Sequence, residues 1–95
     1  MRNYELIFII APIVADEDVQ AEMDKVGDWI KAGEGEVAKV ERWGRRQLAY
    51  SIKNFREGTY VLMNVRLKPG ALDELERSLK LDLNVIRYLL VRTEE

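Results

Sequence analysis

The sequence contains no cysteine and no histidine. Without cysteine there is no disulfide staple, no thiolate nucleophile and no zinc ribbon. Without histidine the commonest general base and the commonest metal ligand are both missing. Long apolar runs are missing too: the longest, residues 6–11, falls far short of the roughly 18 residues that span a bilayer. Glu5 stands in the N-terminal stretch where a secretion leader would carry no acid, so neither a leader nor a membrane association is expected. The glycines form no nucleotide-binding fingerprint. These absences exclude most hydrolase and metalloenzyme chemistry, and no catalytic residue, metal site, cofactor or small-molecule substrate is expected. What is present is a chain of 95 residues, 47% apolar, enough for one globular domain over residues 1–95 and too apolar for a disordered chain. A cytoplasmic protein that binds rather than catalyses is the expectation.

The net charge of −2 hides a sorting of charge along the chain. Residues 16–36 hold eight acids against two lysines, a net of −6, and residues 37–68 hold eight basic residues against Glu41 and Glu57, a net of +6. Such a molecule is bipolar, and a partner responds to the local field rather than to the sum.

Residues 3–11 alternate Tyr4, Leu6, Phe8 and Ile10 with Glu5, Ile7 and Ile9, so both faces are largely apolar, as in a central strand. Pro12 stops the run. Asp16 reads as an N-cap, with Glu17 and Asp18 in the first helical turn, where the dipole favours anions. Val19, Met23, Val26 and Ile30 then follow at helical spacing until Gly33 and Gly35 end the helix. Trp29, beside that stripe, reads as core packing. Residues 36–52 read as one long strand whose alternation loses parity, and Gly44 is the natural place for a bulge that resets it. Residues 54–58 read as a hairpin connection and residues 59–67 as a strand with Val61, Met63 and Val65 on one face. Pro69-Gly70 opens a second helix with Leu72, Leu75 and Leu79 toward the core, residues 82–84 turn, and residues 85–92 form the last strand. The order β-α-β-β-α-β predicts an α+β, ferredoxin-like domain, one four-stranded antiparallel sheet with two helices on one face.

That fold hosts unrelated functions, so function has to come from particular residues. An acylphosphatase would need a glycine-rich phosphate loop before the first helix; residues 12–16 hold no glycine and end in Asp16. The acid groups at 16–18, 73–74 and 94–95 sit where helix starts and a tail place them, and read as solvated charge. RNA-recognition motifs stack bases on third-strand aromatics, and here Thr59, Val61 and Asn64 occupy those positions, so the sheet face is not a base-stacking platform. RNA would be bound instead by charge and shape at edges and loops. The strongest such feature is Arg42-Trp43-Gly44-Arg45-Arg46, flanked by Lys39, Lys53 and Arg56: arginine matches phosphate bidentately, although charge along an edge strand also serves simply to block aggregation. A second feature is the sheet face away from the helices. If Leu6, Phe8, Met63, Val65 and Leu90 face the helices, then Ile7, Ile9, Tyr60, Leu62, Leu89 and Val91 line an open apolar face that suits a protein partner.

The segments Arg2-Asn3-Tyr4-Glu5, Trp43-Gly44-Arg45-Arg46-Gln47-Leu48-Ala49-Tyr50-Ser51-Ile52, Gly58-Thr59-Tyr60-Val61-Leu62-Met63-Asn64-Val65 and Asn84-Val85-Ile86-Arg87-Tyr88 together resemble the bacterial small-subunit ribosomal protein S-six family, over nearly the whole chain. Ser51 stands where the family often has proline. The resemblance implies a ferredoxin-like, non-enzymatic protein of the ribosome that pairs with ribosomal protein S-eighteen as a heterodimer and binds the central domain of small-subunit ribosomal RNA. Its motifs fall on Arg2, Tyr4, Arg45, Arg46, Tyr50, Asn84 and Arg87, the candidates for RNA or partner contact. Lys53, Arg56 and Arg92 join them on charge alone, and Arg2 and Arg87 are expected to approach one another if their strands end on the same side. A different class, a regulatory module that dimerises through its sheet and binds a metabolite, is the alternative.

Overall fold

The computed structural model describes residues 1–93; the tail acids Glu94 and Glu95 lie outside the described residues. Strand β1, Arg2–Ile10, buries Leu6, Phe8 and Ile10 completely on one face and Ile9 on the other, which only a central strand can do. Helix α1, Asp16–Ala32, turns Val19, Met23, Val26 and Ile30 onto that sheet at the spacing of one helical face. The expected cap is displaced by one residue: Ala15 holds the N-cap position with extended backbone, and Asp16 is already helical. A turn closed by the Val14 N–H on the Ala11 carbonyl at 3.1 Å delivers the chain into the helix early. The Asp16 carboxylate is thereby left to face the basic segment described below. At the other end the Gly33 N–H meets the Trp29 and Ile30 carbonyls, and Trp29 packs against the core with Lys25 Nζ 5.8 Å from its ring centre.

Strands β2, Glu36–Ile52, and β3, Phe55–Leu67, form a long hairpin. Its turn is tighter than the expected 54–58 connection. Lys53 and Asn54 alone make it, both at positive φ (50° and 70°), the geometry whose twist matches paired strands. A 3-10 turn over Pro69–Ala71 leads into helix α2, Leu72–Leu81, which buries Leu75 and Leu79, and strand β4, Val85–Arg92, closes the domain. The strands are ordered β2-β3-β1-β4 with every neighbour antiparallel, the ferredoxin-like α+β arrangement expected. One core lies between the sheet and both helices, with the half-buried Tyr88 and Leu90 of β4 packed against it.

Tyr88 donates its hydroxyl to Glu76 Oε1 at 2.8 Å, tying β4 to α2. Burial first, and then the Glu76 carboxylate, push the phenol up to about 12. A raised phenol gives stability that is complete below the ordinary value of 10.0 and is lost as pH rises through the folded value. Tyr88→Phe is therefore expected to cost about 1 kcal/mol at pH 8. The variant also loses the wild type's fall in stability above pH 10, which denaturant titrations at pH 8 and above pH 10 would reveal.

Candidate nucleic-acid and partner interface

The basic segment lies on β2 where the ladder with β3 slips. Arg42 pairs with Val61 and Gly44 with Tyr60, so Trp43 is the extra residue of a bulge, and Gly44 sits at φ 90°, a conformation that L side chains resist. The slip divides the motif between two faces. Arg42 and Arg45, opposite Val61 and Thr59, point to the helix side, where their guanidinium groups stand 3.7 and 3.8 Å from Asp16 Oδ1. Arg45 also lies 3.7 Å from Glu57. These are long, exposed ion pairs that contribute little to stability and leave guanidinium N–H groups for another anion. On the opposite face Trp43 stacks on Tyr60 with ring centres 6.4 Å apart, donates to Glu41 at 3.1 Å, and has the Arg46 guanidinium 5.6 Å from its ring centre. Trp43 thus spends its ring on its own neighbours.

Beyond the bulge the hairpin bends across the open side of the sheet. Leu48, Ile52, Phe55 and Tyr60 pack against Ile9, Ala11 and Ile86 as a second, smaller apolar cluster. The Tyr50 hydroxyl accepts a hydrogen bond from Arg87 Nη1 of β4 at 2.9 Å. This corrects the expectation of a uniformly open apolar face. Ile9 and Leu62 are buried, while Leu89 and Val91 on β4 stay 56% and 44% exposed. What remains open is a recess of about 230 Å³ with Ile7, Leu48, Tyr60 and Leu89 in its lining and Tyr50 and Arg87 at its rim.

The candidate residues therefore separate. Arg45, Arg46, Tyr50, Lys53 and Arg87 belong to the end of the sheet at which β1 finishes, gathered there by the bent hairpin. Arg56 is exposed on the returning strand of that hairpin. Arg2 and Arg92 lie at the other end: Tyr4 pairs with Arg92 while Ile9 pairs with Arg87. The seven residue steps from Arg2 to Ile9, at ~3.4 Å per residue, thus hold Arg2 away from Arg87, because β1 and β4 run in opposite directions. Tyr4 is a core residue, 6% exposed. Asn84 is engaged in the fold. Its side chain donates to Glu22 Oε1 at 3.2 Å, its N–H donates to Asp82 Oδ1 at 3.0 Å, and its carbonyl accepts the Ala11 N–H at 2.8 Å.

Those Asn84 contacts lead to a polar cluster that sequence patterning missed. Glu22, 5% exposed on α1, meets Lys25 at 3.0 Å, and Lys25 reaches Asp82 at 3.1 Å. Burial, and then the hydrogen bond with Asp82, raise the Glu22 carboxyl above its ordinary value; Lys25 and Asn84 oppose this. Burial works against ionisation of Asp82 as well. There it is outweighed by hydrogen bonds from Glu22, the Asn84 N–H and Lys25, and the net shift is downward. Glu22 lies on the same helical side as Val19 and Val26, and only its charged chemistry kept it out of the expected core. Among the described residues no group of three acids could hold a metal ion, and no helix is long and apolar enough to cross a membrane.

A family model described as "Ribosomal protein S6" matches residues 3–92. The chain is similar to small ribosomal subunit protein bS6 of Desulforamulus reducens, 41% identical over 95 residues and 100% of both chains. It is similar also to that of Moorella thermoacetica, 42% identical over 100% of this chain and 97% of the other. A crystal structure of 30S ribosomal protein S6 from Thermotoga maritima superimposes with a TM-score of 0.91 at 38% identity, covering 97% of this chain and 87% of that one. The C-terminal domain of the MgtC protein from Mycobacterium tuberculosis, at a TM-score of 0.60 and 14% identity, shares the fold alone.

Proposed function

The chain belongs to the ribosomal protein S6 family, and from that premise we propose that it binds the central domain of small-subunit ribosomal RNA as half of a heterodimer with ribosomal protein S-eighteen. It is a structural, non-enzymatic component of the small ribosomal subunit and works in the cytoplasm with the ribosome. Membership displaces the metabolite-binding homodimer weighed from the sequence.

One observation carries the finer reading: the bent hairpin sets two different surfaces side by side. At the end of the sheet it gathers Arg45, Arg46, Lys53 and Arg87, side chains that suit a phosphate backbone. On the adjoining face it frames the apolar recess beside Leu89 and Val91, which suits a protein. A domain of net charge −2 offers RNA a local patch rather than a broadly basic surface, so a partner that supplies further phosphate contacts makes the binding cooperative.

The test is binding of the chain to a central-domain ribosomal RNA fragment with and without purified ribosomal protein S-eighteen, at several salt concentrations. The expected result is binding that tightens strongly with the partner and weakens with salt, by about 0.9 in log–log slope for each phosphate that the complex neutralises. Arg45→Gln is expected to reduce that slope by the equivalent of about one phosphate without moving the thermal midpoint, since its ion pairs are long and exposed. Folded protein that binds no RNA under either condition overturns the reading.

A further inference from the structure

The basic segment is not the full extent of the cationic surface. Where the hairpin turn, the end of α2 and the start of β4 meet, a cleft of about 240 Å³ is floored by Leu79, Val85 and Ile86 and bordered by Lys53, Lys80 and Arg87. The hairpin turn, α2 and β4 each bring one cation, and among the described residues no carboxylate lines the cleft. Two acids near its residues in sequence, Glu76 of α2 and Asp82 just after that helix, have partners of their own. Glu76 accepts the hydroxyl of Tyr88, which also borders the cleft, and Asp82 is 3.1 Å from Lys25. Lys80 borders a neighbouring depression with Asp73, Glu76 and Arg77 as well, yet among the described residues neither Lys80 nor Lys53 forms an ion pair. Arg87 is the oriented member: the Tyr50 hydroxyl takes one N–H of its guanidinium, and the remaining donors of the fork are unused by that bond.

Like charges gathered over an apolar floor repel one another and gain from an anion that bridges them. The cleft presents three cations converging from three elements, and a backbone phosphate, whose several anionic oxygens can be shared among them, is the ligand that this arrangement fits. Its place beside Tyr50 and Arg87 makes it continuous with the surface assigned to RNA above. We infer that Lys53, Lys80 and Arg87 form a phosphate clamp for the RNA backbone, with Lys80 as a contact residue that no motif marks. The inference rests on the proposed RNA-binding function and adds a second contact point, beyond the basic segment of β2.

The experiment uses the full chain carrying Lys53→Gln and Lys80→Gln together, with the central-domain RNA fragment and purified ribosomal protein S-eighteen, across a salt series. Arg45→Gln is run beside it. A roughly 10-fold loss of RNA affinity near 0.1 M salt and a salt slope smaller by about 2 are expected, with association to S-eighteen in the absence of RNA unchanged. Wild type and Arg45→Gln behaving as foreseen while the double variant stays within twofold at an unchanged slope would overturn the clamp and leave the RNA reading standing. Loss of S-eighteen association instead would make the cleft a site for an acidic protein segment and also overturn it. A wild-type chain that binds no RNA removes both. Both lysines are exposed, and a melting curve of the double variant checks that its fold is intact.

Discussion

Gly58→Ala is expected to lower the stability of the domain by about 2–3 kcal/mol. Gly58 faces the open side of the sheet on β3, under the bent hairpin and opposite Arg46. A methyl group there would lie 2.4 Å from Ile9 Cγ2 and 2.9 Å from the Ile10 carbonyl oxygen. Ile9 is itself buried in the smaller apolar cluster against Leu48, Ile52 and Phe55, so it has little room to withdraw, and the β1 backbone has less. The methyl would therefore have to be accommodated by parting β3 from β1 at the end of their ladder, where Ile10 pairs with Thr59. Each kcal/mol corresponds to about 4–8 °C in the midpoint of a domain this small, which puts the expected drop at about 8–24 °C. Gly27→Ala is the internal control. Gly27 is in the middle of α1 with nothing within 4 Å of the added carbon, and the substitution is expected to raise stability by about 0.5–1 kcal/mol through helix propensity. Thermal or urea unfolding of the two variants decides the matter; a Gly58→Ala midpoint within 2 °C of wild type would mean the Ile9 side of the sheet repacks freely.

Gly58 also illustrates how far patterning could reach. The strands and helices were legible because their apolar residues repeat at periods of two and 3.6, and that periodicity is set by local geometry. Gly44 could be read as a bulge because the parity of β2 breaks around it. The consequence of the bulge could not be read. Nothing between Leu48 and Phe55 says that the hairpin turns over the sheet to reach Ile86 and Arg87, since contacts between β2 and β4 join opposite edges of the sheet order. Arg87 and Tyr50 were both candidates from family resemblance, but their hydrogen bond, and the placing of Lys53 beside Lys80, depend on that long-range bend. The same limit explains Arg2: its identity marks it as a candidate, yet the antiparallel pairing of β1 with β4 sends it to the opposite end from Arg87. Asp16 was read as a cap from chain-local preference alone, whereas the turn before it and the two arginines of β2 give its carboxylate a different role.

The second large effect is expected at Glu22, and there the choice of substitution decides the result. Glu22→Ala leaves the Asn84 amide without its acceptor and removes the nearer of the two carboxylates around Lys25. The expected cost is about 2 kcal/mol, held below the cost of breaking a fully buried pair because Lys25 is 42% exposed. Glu22→Gln is expected to behave in the opposite way at neutral pH. The folded state raises the Glu22 carboxyl, so Glu22 contributes stability that is complete below its ordinary value of 4.5 and is lost as pH rises through the folded value. Asp82 has the reverse sign: its contribution is present above 3.8 and is lost as pH falls through its lowered value. Burial thus favours the protonated form of Glu22, which carries an O–H donor, while Asp82 favours its ionised form. A glutamine reproduces that donor at every pH and keeps an oxygen for Asn84. The variant should therefore match or exceed wild-type stability at pH 7 and should lack the decline that begins in wild type above pH 4.5. Urea titrations of wild type, Glu22→Ala and Glu22→Gln from pH 4 to pH 8 separate the possibilities. If Glu22→Gln is destabilised at pH 7 as much as Glu22→Ala, the ionised carboxylate, rather than its proton, is what ties α1 to the start of β4.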